Sequence, residues 1–180
     1  MKRTQFSDQP CAVARAMDIV GELWSFMIIR NVFLGVRRFE GLRENLGISR
    51  KVLTERLDLL VARGILERRP YQERPLRHEY RLTPMGVDLF PVLIALSRWG
   101  NRWLVDDQGP PIEFVHRKCG QVTQARVVCN TCGEDLGAHN VRPQLGVGGE
   151  ERYVEAIEQA GGGKPVFLRP EKRVRSISPE

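Results

Sequence analysis

The sequence lacks the features that mark membrane, secreted and most enzymatic proteins. No apolar run approaches the roughly 18 residues of a membrane-spanning helix, and residues 1–8 lack the apolar segment of a secretory signal. We therefore expect a cytoplasmic protein, whose cysteines are reduced thiols or metal ligands. Neither a phosphate-binding glycine loop nor a carboxylate pair stands out, and a thiol nucleophile would need a base among only three histidines. We do not expect an enzyme.

The positive charge of the chain is concentrated in one segment. The full sequence has 28 Lys plus Arg against 22 Asp plus Glu, a net charge of +6. Residues 30–83 alone carry 13 basic side chains against seven acidic ones, and 12 of the 13 are Arg. Arginine makes forked contacts with phosphate and guanine, which favours a nucleic-acid surface. A solvated basic face is the alternative interpretation.

The first third of the chain is predicted to be helical. Apolar residues recur at helical spacing in four segments, residues 10–20, 24–34, 37–46 and 50–63. The second segment has almost no polar face, so we expect a buried helix. Ser49 is the expected N-cap of the fourth helix, where Ile48 and Leu53 are spaced to form a hydrophobic staple.

The fourth helix is predicted to be polar on one side. At about 100° per residue, its apolar residues share one face, namely Leu53, Leu57, Leu60 and Val61. The opposite face carries Lys51, Thr54, Glu55 and Asp58, with Ser49 and Arg50 at the N-terminal end. Arg56 lies nearer the apolar edge, so we expect a structural role for it.

A change of periodicity after Gly64 predicts two strands. Residues 65–69 are the first predicted strand and residues 78–82 the second, in which Tyr80 and Leu82 alternate with charged residues. The proline-marked residues 70–77 between them are predicted to be a loop. Thr83 and Pro84 then start a helix that reaches about residue 104 and is kinked at Pro91. This helix is too apolar to have a solvent-exposed outer face, which suggests burial against a second subunit.

The order of these elements predicts a winged helix-turn-helix, a mainly α fold with a small β component. The fourth helix would enter the major groove of DNA, and the basic hairpin would lie along the backbone or in the minor groove. Arginines concentrate on the third helix, the fourth helix and the hairpin, which favours DNA binding. A winged helix that serves as a protein-interaction module, without a specific DNA target, is the alternative.

Three blocks of the sequence resemble the HxlR-type bacterial winged-helix regulators, which are relatives of the MarR regulators. The blocks are CAVARAMDIVGELW (residues 11–24), GISRKVLTERL (residues 47–57) and EYRLTPMG (residues 79–86). The first block departs from the family pattern at Ala12 and Leu23, where the family usually has Pro and a basic residue. This difference concerns the position of the first helix and not the DNA-binding unit.

The resemblance implies a transcriptional regulator, commonly a repressor, that binds a near-palindromic operator as a homodimer. It also implies that a small molecule or an oxidant could act as effector. The residues expected to contact DNA are Arg37, Arg38, Ser49, Arg50, Lys51, Thr54, Arg68, Arg69, Arg74 and Arg77.

A cluster of potential metal ligands follows the winged helix of residues 1–104 and a linker of residues 105–112. In residues 113–136, two turns have the same pattern of a ligand, two residues, Cys and Gly. The four ligands of the predicted zinc-ribbon-like module are His116, Cys119, Cys129 and Cys132. The zinc would be structural, because protein side chains fill all four positions. A redox dithiol of Cys129 and Cys132, or a metal-free remnant, are the alternatives.

Cys11 stands apart from this cluster, in front of the first helix. The resemblance implies that a Cys here can sense oxidants or electrophiles, and Arg15 and the helix N-terminus would lower its pKa. A partly buried, inert thiol is the alternative. Residues 137–180 are predicted to form a mostly flexible tail, with one helix at residues 151–159.

Overall fold

The computed structural model describes Phe6 and residues 11–142 of the chain. The helix predicted at residues 151–159 and most of the predicted tail lie outside the described residues. The chain divides into two compact units, Met1–Leu93 and Ile94–Glu180. Among the described residues, no helix is both long and apolar enough to cross a membrane.

The first unit begins with the four predicted helices. They are α1 (Ala12–Val20), α2 (Leu23–Phe33), α3 (Phe39–Leu46) and α4 (Arg50–Ala62). The turn between α3 and α4 contains Gly47 in the left-handed conformation (φ 64°), which favours glycine. Ser49 caps α4 as predicted, because its hydroxyl accepts a hydrogen bond of 3.3 Å from the N–H of Val52.

Helix α2 lies at the centre of the first unit. Every residue from Trp24 to Phe33 is buried or half-buried, as the apolar segment predicted. The core around α2 contains Ile28, Ile29, Val32, Leu42, Ile48, Leu53, Leu57, Leu60, Ile65, Leu66 and Tyr80. The buried Asn31 is satisfied within it, since Nδ2 donates to Oδ1 of Asn45 at 2.7 Å and Oδ1 accepts from Nε of Arg30 at 3.0 Å.

The wing is an antiparallel hairpin of β1 (Leu66–Glu73) and β2 (Leu76–Leu82). The prediction of a loop over residues 70–77 was wrong, because both strands continue to a short turn at Arg74–Pro75. Pro70 is tolerated inside β1 because both strands of a two-stranded ribbon are edge strands. A register shift between Pro70 and Gln72 leaves Tyr71 as the extra residue of a β-bulge.

The helix predicted from residue 84 to residue 104 is two helices. Thr83 caps α5 (Pro84–Val87), with its hydroxyl accepting from the N–H of Gly86 at 3.1 Å. Helix α6 (Phe90–Trp103) then starts, with Pro91 in its first turn. The kink predicted at Pro91 was wrong. Pro91 has no N–H and its ring would clash with the carbonyl four residues earlier, so a helix ends and another begins there.

The second unit contains a second, smaller hairpin. Strand β3 (Phe114–Val115) pairs antiparallel with β4 (Val122–Thr123). This hairpin encloses the first cysteine turn, because β3 precedes His116 and β4 follows Gly120. The guanidinium of Arg98 on α6 donates to the carbonyl of Ala125 at 2.9 Å.

Candidate nucleic-acid interface

Helix α4 has one buried face and one polar face. Leu53, Leu57 and Leu60 are fully buried against α2 and the rest of the core. On the other side Arg50, Lys51, Thr54, Glu55 and Asp58 are exposed. Burial of the leucines fixes the rotation of α4, so the polar side chains at its N-terminal end form an outward surface. This is the geometry that a recognition helix requires.

Arg56 belongs to the interior side of this helix, as predicted. Its guanidinium lies 2.9 Å from the carboxylate of Glu22, which precedes α2, and both side chains are largely covered. The pair therefore ties α4 to the start of α2, and Arg56 is not part of the polar surface.

The wing is joined to the start of α3 by backbone contacts. The N–H of Tyr80 donates to the carbonyl of Arg37 at 2.8 Å, and Arg38 forms a bridge with Glu79 of β2. Sequence reasoning placed Arg37 and Arg38 on the third helix. Instead they lie in an extended segment before α3 that pairs with β2, which places two arginines beside the wing.

Arg38 is also held by an aromatic side chain. Its guanidinium carbon lies 4.3 Å from the ring centroid of Tyr71, the bulged residue of β1. This distance is within the range of a cation–π interaction. Sequence reasoning missed Tyr71, because the bulge that displaces it leaves no signal in the pattern of apolar residues.

Helices α3 and α4 and the wing border one open groove of about 660 Å³. Its lining includes three arginines and one acidic residue, namely Arg38, Arg50, Arg77 and Glu40, together with Tyr71 and His78. The arginines come from three different elements, so the fold collects positive charge at one place. A concave basic surface of this kind is suited to a phosphate backbone.

All ten residues predicted to contact DNA are exposed. Three of their guanidinium groups already form ion pairs with carboxylates. These pairs are Arg50 with Glu40 (2.6 Å), Arg69 with Glu67 (2.6 Å) and Arg68 with Asp58. The first carboxylate is shared, since Arg43 also binds Glu40 at 2.9 Å, and these two hydrogen bonds lower the pKa of Glu40, with Arg43 as the larger cause.

Four other basic side chains of this surface are not paired with a carboxylate. Within the described residues, no ion pair is formed by Arg37, Lys51, Arg74 or Arg77. A phosphate can therefore approach them without displacing a carboxylate. The paired arginines must exchange one anion for another, so we expect the unpaired ones to contribute more to binding.

The predicted zinc ligands lie in two pairs in the second unit. Nδ1 of His116 is 3.3 Å from Sγ of Cys119. The pKa of the Cys129 thiol is lowered to about 7, first by a hydrogen bond from the backbone of Cys132 and then by one from Thr131. Within residues 11–142, no three or more His, Cys, Asp or Glu side chains are close enough together to hold a metal ion. Zinc binding stays a prediction.

Cys11 is half-buried at the N-cap of α1. Its carbonyl accepts a hydrogen bond of 3.1 Å from the N–H of Arg15, which is the contact that starts the helix. Its role as a sensor stays a prediction.

The fold and the basic surface define a DNA-binding winged helix, and comparison with known proteins gives its family. The HxlR-like helix-turn-helix family model matches residues 19–108. The chain belongs to this family. It is a DNA-binding transcriptional regulator, and the family is not enzymatic.

The relatives agree with this assignment. An uncharacterised helix-turn-helix-type transcriptional regulator of Mycobacterium tuberculosis (strain H37Rv) is 47% identical over 137 residues, which cover 76% of this chain and 87% of the relative. A regulator of the same type from Synechocystis is 41% identical over 95 residues, 52% of this chain and 70% of that protein. The match covers 137 residues, which is more than the 104 residues assigned to the winged helix. The similarity therefore reaches the second unit.

Two solved structures are similar as well. PA1607, a candidate transcription factor, has a TM-score of 0.70 and 33% identity, covering 78% of this chain and 99% of that one. PA1374 of Pseudomonas aeruginosa, another candidate transcription factor, has a TM-score of 0.55 and 35% identity, covering 81% and 99%.

Proposed function

We propose that this regulator represses transcription by binding a near-palindromic operator as a homodimer. The observation that carries the proposal is the groove at which the polar end of α4, the start of α3 and the wing meet. Helix α4 enters the major groove with Ser49, Arg50, Lys51 and Thr54 as readers of bases or phosphates. The wing follows the phosphate backbone with Arg74 and Arg77. A dimer bound to a promoter prevents RNA polymerase from binding there. We propose repression for this reason.

The homodimer is supported by an uncovered apolar stripe on α6. Val92, Leu96, Trp99 and Trp103 follow one another at intervals of four, three and four residues, so they share one face. Their exposed fractions are 52, 51, 54 and 38%. Exposing two tryptophans and two aliphatic side chains on one helical face to water is unfavourable in free energy. A second copy of the chain covers it, with the two stripes packed together about a two-fold axis.

The DNA contacts are tested by titrating a fluorescent duplex from the intergenic region beside the gene. We expect Lys51→Ala to weaken binding by about 1–3 kcal/mol for each half-site if Lys51 reads a base. Arg63→Ala is the matched control, because Arg63 is an exposed cation at the other end of the same helix. That end lies about 20 Å along the axis, at 1.5 Å per residue. Equal losses in both variants would contradict the assignment of the α4 N-terminus as the reading end.

The dimer is tested by light scattering on the full chain after size exclusion. We expect a dimer for the unmodified protein and a monomer for Trp99→Glu, because a carboxylate cannot be buried without a partner. Val127→Glu is the control, since Val127 is similarly exposed (56%) and is not part of the α6 stripe. A monomeric unmodified protein, or a dimeric Trp99→Glu variant, would count against this interface. The sign of regulation is tested by a promoter–reporter fusion, where deletion of the gene should raise expression.

A second hypothesis concerns the effector. A thiol at a helix N-terminus is in a position that favours the thiolate, and the half-buried Cys11 has this position at α1. An oxidant or electrophile that reacts with Cys11 would then change the affinity for DNA.

A further inference from the structure

The first cysteine turn of the second unit has a defined backbone geometry. The N–H of His116 donates to the carbonyl of Gln121 at 2.9 Å, and the N–H of Gly120 donates back to the carbonyl of His116 at 2.8 Å. Gly120 has a φ of 69°, in the left-handed region that favours glycine. On either side, Val115 of β3 pairs with Val122 of β4. The turn is thus closed by a short antiparallel ladder.

The second cysteine turn repeats this geometry position by position. The N–H of Cys129 donates to the carbonyl of Glu134 at 2.8 Å, and the N–H of Gly133 donates back to the carbonyl of Cys129 at 2.8 Å. Gly133 has a φ of 76°. A bridge between Val128 and Asp135 closes this turn too. The two turns therefore share both hydrogen bonds, the left-handed glycine and the flanking strand contact.

Each turn brings two potential metal ligands together. His116 and Cys119 approach through Nδ1 and Sγ at 3.3 Å. In the second turn, Cys129 and Cys132 take the positions that His116 and Cys119 have in the first, since the backbone hydrogen bonds and the left-handed glycine recur at the same spacing. A turn that holds two ligands in this way is half of a tetrahedral zinc site.

The part of the chain that holds these turns has no apolar core of its own. Within residues 105–142, no residue is buried. The valines of the ladders are exposed, with fractions of 56% for Val115, 55% for Val122 and 43% for Val128. So small a module with no buried residue requires another source of stability, and a structural metal is the usual one where disulfides are absent.

We propose that one Zn²⁺ per chain joins the two turns, with His116, Cys119, Cys129 and Cys132 as its four ligands. The pairs are separate, so binding draws the turns together until both contact the ion. Zinc takes its ligands at about 2.0–2.3 Å in tetrahedral geometry. With four protein ligands the site is closed, and the ion stabilises the module without taking part in a reaction.

The experiment is metal analysis and native mass spectrometry of the full chain, purified under mild reduction without chelator. We expect one zinc per chain, and loss of the zinc in Cys119→Ser and Cys129→Ser. His139→Asn is the control, because His139 is the one remaining histidine near the module and should leave the zinc content unchanged. Since a serine variant could lose metal by misfolding, the unmodified protein is also loaded with Co²⁺. The visible absorption of tetrahedral cobalt with thiolate ligands should appear and be displaced by Zn²⁺.

Three results would overturn the proposal. The first is an unmodified protein without stoichiometric zinc that also fails to give the cobalt spectrum. The second is full zinc content in both serine variants. The third is a chain whose mass is lower by two hydrogens because Cys129 and Cys132 form a disulfide, which would favour the redox dithiol.

Discussion

The wing arginines give a prediction whose size follows from the ion pairs of the free protein. Arg77 is exposed, lines the groove and has no carboxylate partner among the described residues. Arg69, on the other strand of the wing, is paired with Glu67 at 2.6 Å. Removing Arg77 removes a net positive charge that can neutralise a phosphate. Removing Arg69 and Glu67 together removes a neutral pair.

The magnitude follows from counterion release. Each phosphate that a cation neutralises contributes about 0.9 to the slope of log K against log salt concentration. In a dimer, Arg77→Ala removes two such contacts, so the slope should become shallower by roughly 1.8. Between about 50 and 200 mM salt, the affinity ratio of the unmodified protein to the variant should then change by about tenfold. The double variant Arg69→Ala/Glu67→Ala should leave the slope close to that of the unmodified protein.

The assay is fluorescence anisotropy with one duplex at several salt concentrations. It is run in parallel with a duplex of unrelated sequence, because a phosphate contact should matter equally for both. Arg77 does not act as a phosphate-neutralising charge if Arg77→Ala changes the affinity by the same factor at every salt concentration. Net charge is not the cause of the slope if the charge-neutral double variant alters it as much as Arg77→Ala does.

Three further predictions follow from the fold and the N-terminal thiol. Gly86→Ala should lower the free energy of unfolding by about 1–3 kcal/mol, because a Cβ there would meet the backbone carbonyl of Ile65; an unchanged urea midpoint would contradict this packing. Thr83→Ala should cost about 1 kcal/mol in the same assay through loss of the cap on Gly86, and Thr83→Ser should retain most of it. If Cys11 is the sensor, Cys11→Ser should bind DNA normally and keep that affinity after peroxide treatment, whereas a variant that still responds would exclude Cys11.

The winged helix could be predicted from the sequence because its signals are local. Ser49 and Thr83 are caps with a recognisable neighbourhood, and both accept the predicted kind of hydrogen bond. The spacing of Leu53, Leu57 and Leu60 fixed the buried face of α4, and it also placed Arg56 on the interior side. These features depend on residues within one or two helical turns of each other, so they can be recognised from the sequence alone.

The parts that were predicted wrongly depend on tertiary context. Pro70 marks a loop in most sequences, but here it lies in an edge strand that pairs with β2. Pro91 is the exception, because its effect is local: a proline can kink a helix or lie in the first turn of a new one, and here it lies in a first turn. The pairing of Arg37 with Tyr80 and the stacking of Arg38 on Tyr71 join distant segments. No periodicity within either segment could indicate them.

The symmetry of the operator is tested most directly by selecting duplex DNA from a random library with the 180-residue chain, followed by sequencing. A homodimer with α4 as its reading helix should enrich an inverted repeat, with half-sites centred about one helical turn (roughly 10 base pairs) or a multiple of it apart. Lys51→Ala should relax the preference at one position in both half-sites, and Arg63→Ala should leave the motif unchanged. Enrichment of no motif, or of a single half-site by a monomer, would contradict the central claim that two copies of this winged helix read one symmetric operator.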